Sequence, residues 1–285
     1  MDEQPITLDT FGATDVGKKR PQNEDQFLIA TMTRAMVVER GSLPTPEGQT
    51  YLGKPDGTLL VVADGMGGAA AGEVASSIAV ATIAERLCNF SPFVVKKRKT
   101  EYATVRNLRH DLAAAIAAGE TNIREAAGTG KRRGMGTTLT VAYLLWPRLY
   151  VAHVGDSRCY LHRAGKLEQL TQDHTIAQQL ADRGMEVDDA SRLHNVLWNA
   201  LGGRSGRQGE PDVVRADLTP GDTVLLCSDG LTKHVSNADI ADVLDHHSSA
   251  QRCCTELIAM ANRAGGTDNI TVVISRGTAR EAQGT

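Results

Sequence analysis

Residues 59–80, "LLVVADGMGGAAAGEVASSIAV", carry an apolar strand into an aspartate, then four glycines among small residues, then a helix-like stretch. Two readings compete for it. Gly65, Gly67 and Ala70 satisfy the minimal G-x-G-x-x-A pattern of a dinucleotide-binding turn, and Glu85 stands about twenty residues on, where a ribose-binding acid belongs. In that fold, however, the acid caps a second parallel strand, whereas Glu85 sits within "AVATIAERLCNF", inside the same helical stretch. Asp64 would also turn a carboxylate toward phosphates that a helix N-terminus attracts, with no nearby Lys or Arg to offset the repulsion. The second reading is that Asp64, at the end of a strand, holds something positive.

Composition narrows the field. At 285 residues with 41% apolar side chains, the chain is long enough for one large domain with a sizeable core. Thirty-one basic against 34 acidic residues leave a net charge of -3, so no global field favours nucleic acid or an anionic membrane. The five cysteines (Cys88, Cys159, Cys227, Cys253, Cys254) form no C-x-x-C pair, which argues against a disulfide framework or a thiolate zinc site and fits a reducing cytoplasm. No run approaches the roughly 18 apolar residues of a membrane span, and the acidic start "MDEQPITLDT" is unlike a basic signal peptide. A cytoplasmic protein without nucleic-acid or membrane partners is expected.

Strand-like runs stand at 26–32, 58–63, 137–146, 148–154, 158–164, 222–228 and 269–275, and turn residues such as Pro147, Gly165 and Gly221 between them predict antiparallel hairpins. Helical spacing appears over 70–88 and over 101–127, where Val105, Leu108, Leu112, Ile116 and Ile123 recur three, four or seven apart. Strands in a meander interrupted by helices predict an α+β domain of antiparallel sheets with helices on the outer faces, not a parallel doubly wound sheet. Residues 33–57, rich in Gly, Pro and polar side chains, read as a surface hairpin excursion. The basic run Lys96–Lys99 reads as a solvated loop.

Asp64 has company. Acidic residues beside turns recur in "RPQNEDQF" (Glu24, Asp25, with Arg20 at its head), "HVGDSRCY" (Asp156), "LLCSDGLT" (Asp229) and "GGTDNITVV" (Asp268), each against a strand-like run. One such carboxylate is ordinary, because Asp favours turns and caps. Five recurrences are not: antiparallel neighbours gather alternate strand ends at one edge, and clustered carboxylates repel unless divalent cations neutralise them. All-oxygen ligands suit Mg²⁺ or Mn²⁺ rather than Zn²⁺.

These segments, with "TDVGKKRPQNEDQF", "VVADGMGG", "GMGTTLTVAY", "VAHVGDSRCYL" and "LTQDHT", occur in the order of the motifs of the metal-dependent Ser/Thr protein phosphatases of type 2C, and the chain resembles that family from about Phe11 to Ser275. The resemblance implies a sandwich of two antiparallel β-sheets with α-helices on both outer faces and a two-metal site in a cleft at one end. It implies that Asp64 bridges two Mg²⁺ or Mn²⁺ ions, that the Gly65 carbonyl binds one of them, and that Asp229 and Asp268 are ligands. Glu24 and Asp25 match acids near the other ion, direct or through water. Asp156 matches an acid that, with Asp229, holds a looser third ion in the family, and Arg20 matches the phosphate-binding arginine. The implied activity is hydrolysis of phosphoserine and phosphothreonine in kinase-modified proteins by water activated between two metals, without a covalent phosphoenzyme. Thr137 and Thr138 read as supports beneath the site.

Met66 departs from the many relatives with a histidine there, which leaves the proton donor to the leaving alcohol unassigned; His174 and His194, near the flap segment, are further candidates. The same resemblance divides the chain into an extension (1–10), a single catalytic domain (11–276) with a flap segment at 173–203, and a tail (277–285). A regulatory or non-catalytic binding protein on the same fold is the rival reading, and the intact set of mutually repelling acids argues against it.

Overall fold

The computed structural model describes residues 6–37, 50–67, 71–89, 101–128, 134–188, 192–203 and 209–279. In chain order the first half holds β1 (Ile6–Asp15), β2 (Asp25–Val37), β3 (Thr50–Met66), α1 (Ala71–Cys88), α2 (Glu101–Ala127), β4 (Gly136–Thr137), β5 (Leu139–Leu145) and β6 (Arg148–Val154). The second half holds β7 (Arg158–Arg163), β8 (Lys166–Gln169), α3 (Ile176–Ala181), a 3-10 turn (Arg192–Asn195), β9 (Leu201–Gly202), β10 (Asp212–Asp217), β11 (Thr223–Cys227), α4 (Asp229–Thr232), α5 (Asn237–His246), α6 (Ala250–Arg263) and β12 (Ile270–Ala279).

Two antiparallel sheets result. One runs β1-β12-β11-β7-β8; the other runs β10-β6-β5-β3-β4-β9, with β2 beside β3. The run Leu59–Ala63 explains why they stack. Leu59, Val61 and Ala63 pack beneath the first helix pair with Ile83, Leu112 and Ile116. Leu60 and Val62 face the other way, into an inter-sheet layer with Leu226 and Val273. Leu225 and Cys227 on β11 in turn meet Ile240, Leu244 and Leu257 of the second helix pair. A strand covered on both faces has no solvent side, so its sequence reads as continuously apolar rather than alternating. The expected helix–sheet–sheet–helix architecture is what the chain forms. Truncating a fully buried anchor such as Ile116 to Ala costs about 2–5 kcal/mol.

β3 pairs antiparallel with β2 and β5, and Glu85 lies within α1, so the parallel βαβ unit that a dinucleotide turn needs is absent here. The glycines have another cause. A Cβ on Gly65 would sit 2.3 Å from the Gly72 carbonyl oxygen and 2.6 Å from that of Glu24. Only glycine lets the strand end, the first turn of α1 and the segment before β2 approach so closely.

The structure moves several boundaries. β1 pairs with β12 from Ile6↔Ala279 to Asp15↔Ile270, so residues 6–10 and 277–279 belong to the sheet rather than to an extension and a tail. The excursion at 33–57 is in part a continuation of the β2–β3 hairpin to Val37↔Thr50, through register shifts near Thr33. The run Lys96–Lys99 and Ala70 lie outside the described residues. No helix among the described residues is long and apolar enough to cross a membrane.

Candidate metal centre

Strand direction gathers the acids. Asp25 opens β2 directly opposite Asp64 near the end of β3. Asp156 follows β6, which runs in the same direction as β3; Asp229 follows β11, and Asp268 precedes its antiparallel partner β12. All five therefore lie at one end of the sandwich. A cleft of about 910 Å³ opens there, lined by Arg20, Glu24, Asp64, Gly65, Asp156, Asp229, Lys233 and Asp268 among others.

The floor is built by hydroxyls. The Asp64 N–H donates to Thr138 Oγ1 at 2.9 Å, and the Thr137 hydroxyl donates to the Asp64 carbonyl at 2.9 Å, as expected of two supporting threonines. Ser228 and Thr271 each donate to Asp25 Oδ2 at 2.7 Å, which orients that carboxylate. Its Oδ1 is buried without a partner, and so is Oδ1 of Asp229.

Crowding and burial act together on these groups. Burial pushes the Asp25 carboxyl up to about 7 against its two hydrogen bonds, with Asp229 and Asp268 adding to the rise. Asp64 is pushed well above the usual carboxylate range by burial and then by Asp25, Asp229, Asp156 and Asp268. Asp156 rises to about 8 through burial, Asp229 and Asp173. Asp268 goes the other way: burial opposes its ionisation, but Arg20 and Lys233 outweigh it and hold the carboxyl below its ordinary value. Anionic oxygens that repel one another and include two orphaned buried atoms suit a hard, oxygen-seeking cation. Among the described residues no three such side chains converge tightly enough to enclose an ion as they stand. Asp268 and Asp229 are turned to cationic side chains instead.

Those cations are Arg20 and Lys233. Arg20, half exposed at the mouth, forks onto Asp268 with Nε–Oδ1 at 2.7 Å and Nη2–Oδ2 at 2.9 Å. Lys233 Nζ lies 2.5 Å from Asp229 Oδ2 and 2.9 Å from Asp268 Oδ2. Burial alone would lower the Lys233 pKa, yet the two carboxylates raise it, so it stays an ammonium.

Comparison with known proteins gives the family. The family model described as protein phosphatase 2C matches residues 38–270. The chain belongs to the protein phosphatase 2C family. It is 36% identical over 253 residues to the serine/threonine protein phosphatase PstP of Mycobacterium tuberculosis, covering 86% of this chain and 46% of that protein, about half its length. It is 31% identical over 264 residues to the protein phosphatase PhpP of Streptococcus pneumoniae, covering 92% of this chain and 94% of that one. Its fold superposes on the catalytic domain of a serine/threonine protein phosphatase PstP in complex with two manganese ions at a TM-score of 0.72, with 31% identity, 96% of this chain and all of that chain covered (100%).

Arg20, Glu24 and Asp25 precede the matched span; Arg20 and Glu24 line the cleft, and the β2–β3 register sets Asp25 opposite Asp64. Met66 lines the cleft. His174 does not: it is buried, its Nδ1 accepts the Gly155 N–H at 3.2 Å, its Nε2 faces Asp212 at 3.1 Å, and its ring lies between His153 and Trp198. It braces the turn that carries Asp156. His194 is exposed on the 3-10 turn and is not among the lining residues. The flap segment contributes Asn195, Val196, Leu197, Ala200 and Gly203 to one wall.

Sequence reading missed two lining residues, Lys233 and His234, which follow "LLCSDGLT" directly. The signal for Lys233 was its spacing of four from Asp229 across one helical turn. His234 Nε2 receives the Thr267 N–H at 3.1 Å and lies 2.7 Å from its hydroxyl.

Proposed function

We propose that the chain is a divalent-metal-dependent phosphatase that hydrolyses phosphoserine and phosphothreonine in proteins, with Mg²⁺ or Mn²⁺ held by Asp64, Asp229 and Asp268, the Gly65 carbonyl, and Glu24 and Asp25. The observation that carries this reading is the pair of buried, partnerless oxygens, Asp229 Oδ1 in an acid-lined cleft that also holds Arg20, and Asp25 Oδ1 on the strand pair beside it. When bound, two such ions neutralise phosphate charge and lower the pKa of a water.

The chain's own residues supply the rest. Ser228 and Thr271 fix the orientation of Asp25, and Thr137 and Thr138 fix the backbone of Asp64, so these two acids are placed before any ion arrives. Arg20 is the planar, permanently charged fork in the cleft; exchanging Asp268 for a phosphoryl group would give it bidentate contact with two phosphate oxygens. Met66 has no proton to give, so the departing serine or threonine oxygen draws its proton from elsewhere.

Water is the better nucleophile here than a side chain. Among the described residues no Ser or Cys lines the cleft, and the Thr138 hydroxyl is engaged by the Asp64 N–H and by Ser157 at 2.7 Å. Among the described residues Thr267, set against His234, is the arrangement in the cleft that resembles a nucleophile beside a base. Phosphate release from a phosphothreonine peptide separates the two. Turnover that requires Mn²⁺ or Mg²⁺ and stops with EDTA supports the metal-dependent reading; turnover indifferent to EDTA and abolished by Thr267→Ala replaces it with a Thr267–His234 mechanism. Phosphorylated proteins are the proposed partners, and the cytoplasm the proposed location.

A further inference from the structure

The cleft holds more acid than two ions need. Besides Asp64, Asp229, Asp268 and Glu24 its lining includes Asp156, itself buried, and Asp25 lies opposite Asp64 in the strand pair beneath. Further cationic charge is needed on that side, and the chain supplies one. Lys233 caps the C-terminal end of α4, one turn from Asp229, and its ammonium bonds Asp229 Oδ2 and Asp268 Oδ2 together. Asp156 lies within the field of the same ammonium. Asp229 is thereby divided: Oδ2 is taken by Lys233, while Oδ1, buried and partnerless, remains for an ion on the other side.

We infer that Lys233 is a resident cation that limits the cleft to two divalent ions, its ammonium standing where a further ion would sit among Asp156, Asp229 and Asp268. The inference rests on the metal-dependent reading above. Its chemistry follows from a simple competition. An ammonium carried on the chain is present at any metal concentration, whereas a loosely held ion is recruited only when the metal is abundant. Lys233 thus positions Asp229 and Asp268 and adds fixed positive charge to the Asp156 side of the cleft without drawing on solution. Removing its charge while keeping its bulk leaves Asp229 Oδ2 without its cation and Asp268 Oδ2 with Arg20 alone, and creates a vacancy for a cation.

The test is calorimetric titration of Mn²⁺ into the intact, metal-free protein and into the variants Lys233→Met, Lys233→Gln and Lys233→Arg. The wild type takes up two ions per chain, Lys233→Met and Lys233→Gln take up three, and Lys233→Arg, which keeps the charge, returns to two. Metal-free Lys233→Met also melts at a lower temperature than the metal-free wild type, and saturating Mn²⁺ removes the difference. Gln serves the same purpose as Met if the Met variant does not fold. Three ions in the wild type, or two of equal affinity in all four proteins, overturns the inference while leaving the metal centre standing. No uptake by the wild type overturns the metal centre and this inference with it.

Discussion

Strand β11 has an aspartate at each end, and the two are treated in opposite ways. Asp222, just before the strand, is buried with every oxygen met: Arg163 Nε and Thr219 Oγ1 donate to Oδ1 at 2.8 and 3.2 Å, and Arg163 Nη2 and the Thr219 N–H donate to Oδ2 at 2.5 and 2.7 Å. Asp229, just after it, shares one oxygen with a lysine and leaves the other buried with nothing. Both are acids beside turns at strand ends, and by spacing alone they are the same residue. Leaving a buried anionic oxygen without a donor costs free energy that Asp222 shows the fold can avoid. A site that bears that cost at one end of a strand and avoids it at the other is shaped for something that arrives later.

The sharpest way to break this contrast is to remove each acid. Asp64→Ala and Asp229→Asn are expected to lose essentially all Mn²⁺-dependent turnover on a phosphothreonine peptide, while metal-free Asp64→Ala melts no lower than the wild type, because a buried acid crowded by other acids has gone. Substantial residual turnover in either would move the chemistry away from these ligands. Arg20→Ala comes next: one charge-assisted contact to phosphate is worth about 1.5–3 kcal/mol, so KM should rise roughly ten- to hundredfold with Mn²⁺ affinity unchanged. If Mn²⁺ affinity shifts and KM does not, Arg20 serves Asp268 rather than substrate.

At the other end of β11, Asp222→Ala is expected to behave in reverse. It strands the Arg163 guanidinium and the Thr219 N–H, costing about 1.5–3 kcal/mol of stability by denaturant titration. Turnover per folded molecule should stay as it was. A loss of turnover without a loss of stability would mean that the two acids are not distinct in kind.

How far the sequence could carry this contrast depends on the element. The doubly buried run Leu59–Ala63 and the acids at its end are legible, because burial on both faces leaves an unbroken apolar stretch and because five strand-end acids repeat one arrangement. β1 is not: it is an edge strand of Thr, Asp and half-buried side chains that shows no clean alternation. α6 is weakly marked because its buried face is Ala250, Cys253, Cys254, Leu257 and Ala261, mostly small residues. The difference between Asp222 and Asp229 is illegible in principle. It depends on which side chains from β7 and α4 arrive beside each, and only the packed structure fixes that.

The smallest expected effect is on pH. The raised carboxyls, Asp25 to about 7 and Asp156 to about 8, bind protons more tightly folded than unfolded. The metal-free protein should therefore lose stability as pH rises from near 4 through 8, since the folded state must give up protons that it holds more tightly than the unfolded chain does. Saturating Mn²⁺ should raise the melting temperature more at pH 8 than at pH 5, and an equal gain at both would remove Asp25 from the metal's reach.

The central claim, that the orphaned acids at one end of the sandwich exist to hold cations, is tested most directly by anomalous diffraction from crystals of the protein grown with Mn²⁺. The account predicts Mn²⁺ peaks in the cleft in contact with Asp64 and with Asp229 Oδ1, and none at Asp222. Crystals that remain catalytically competent in Mn²⁺ yet show no peak in the cleft, or show peaks only elsewhere, would contradict it.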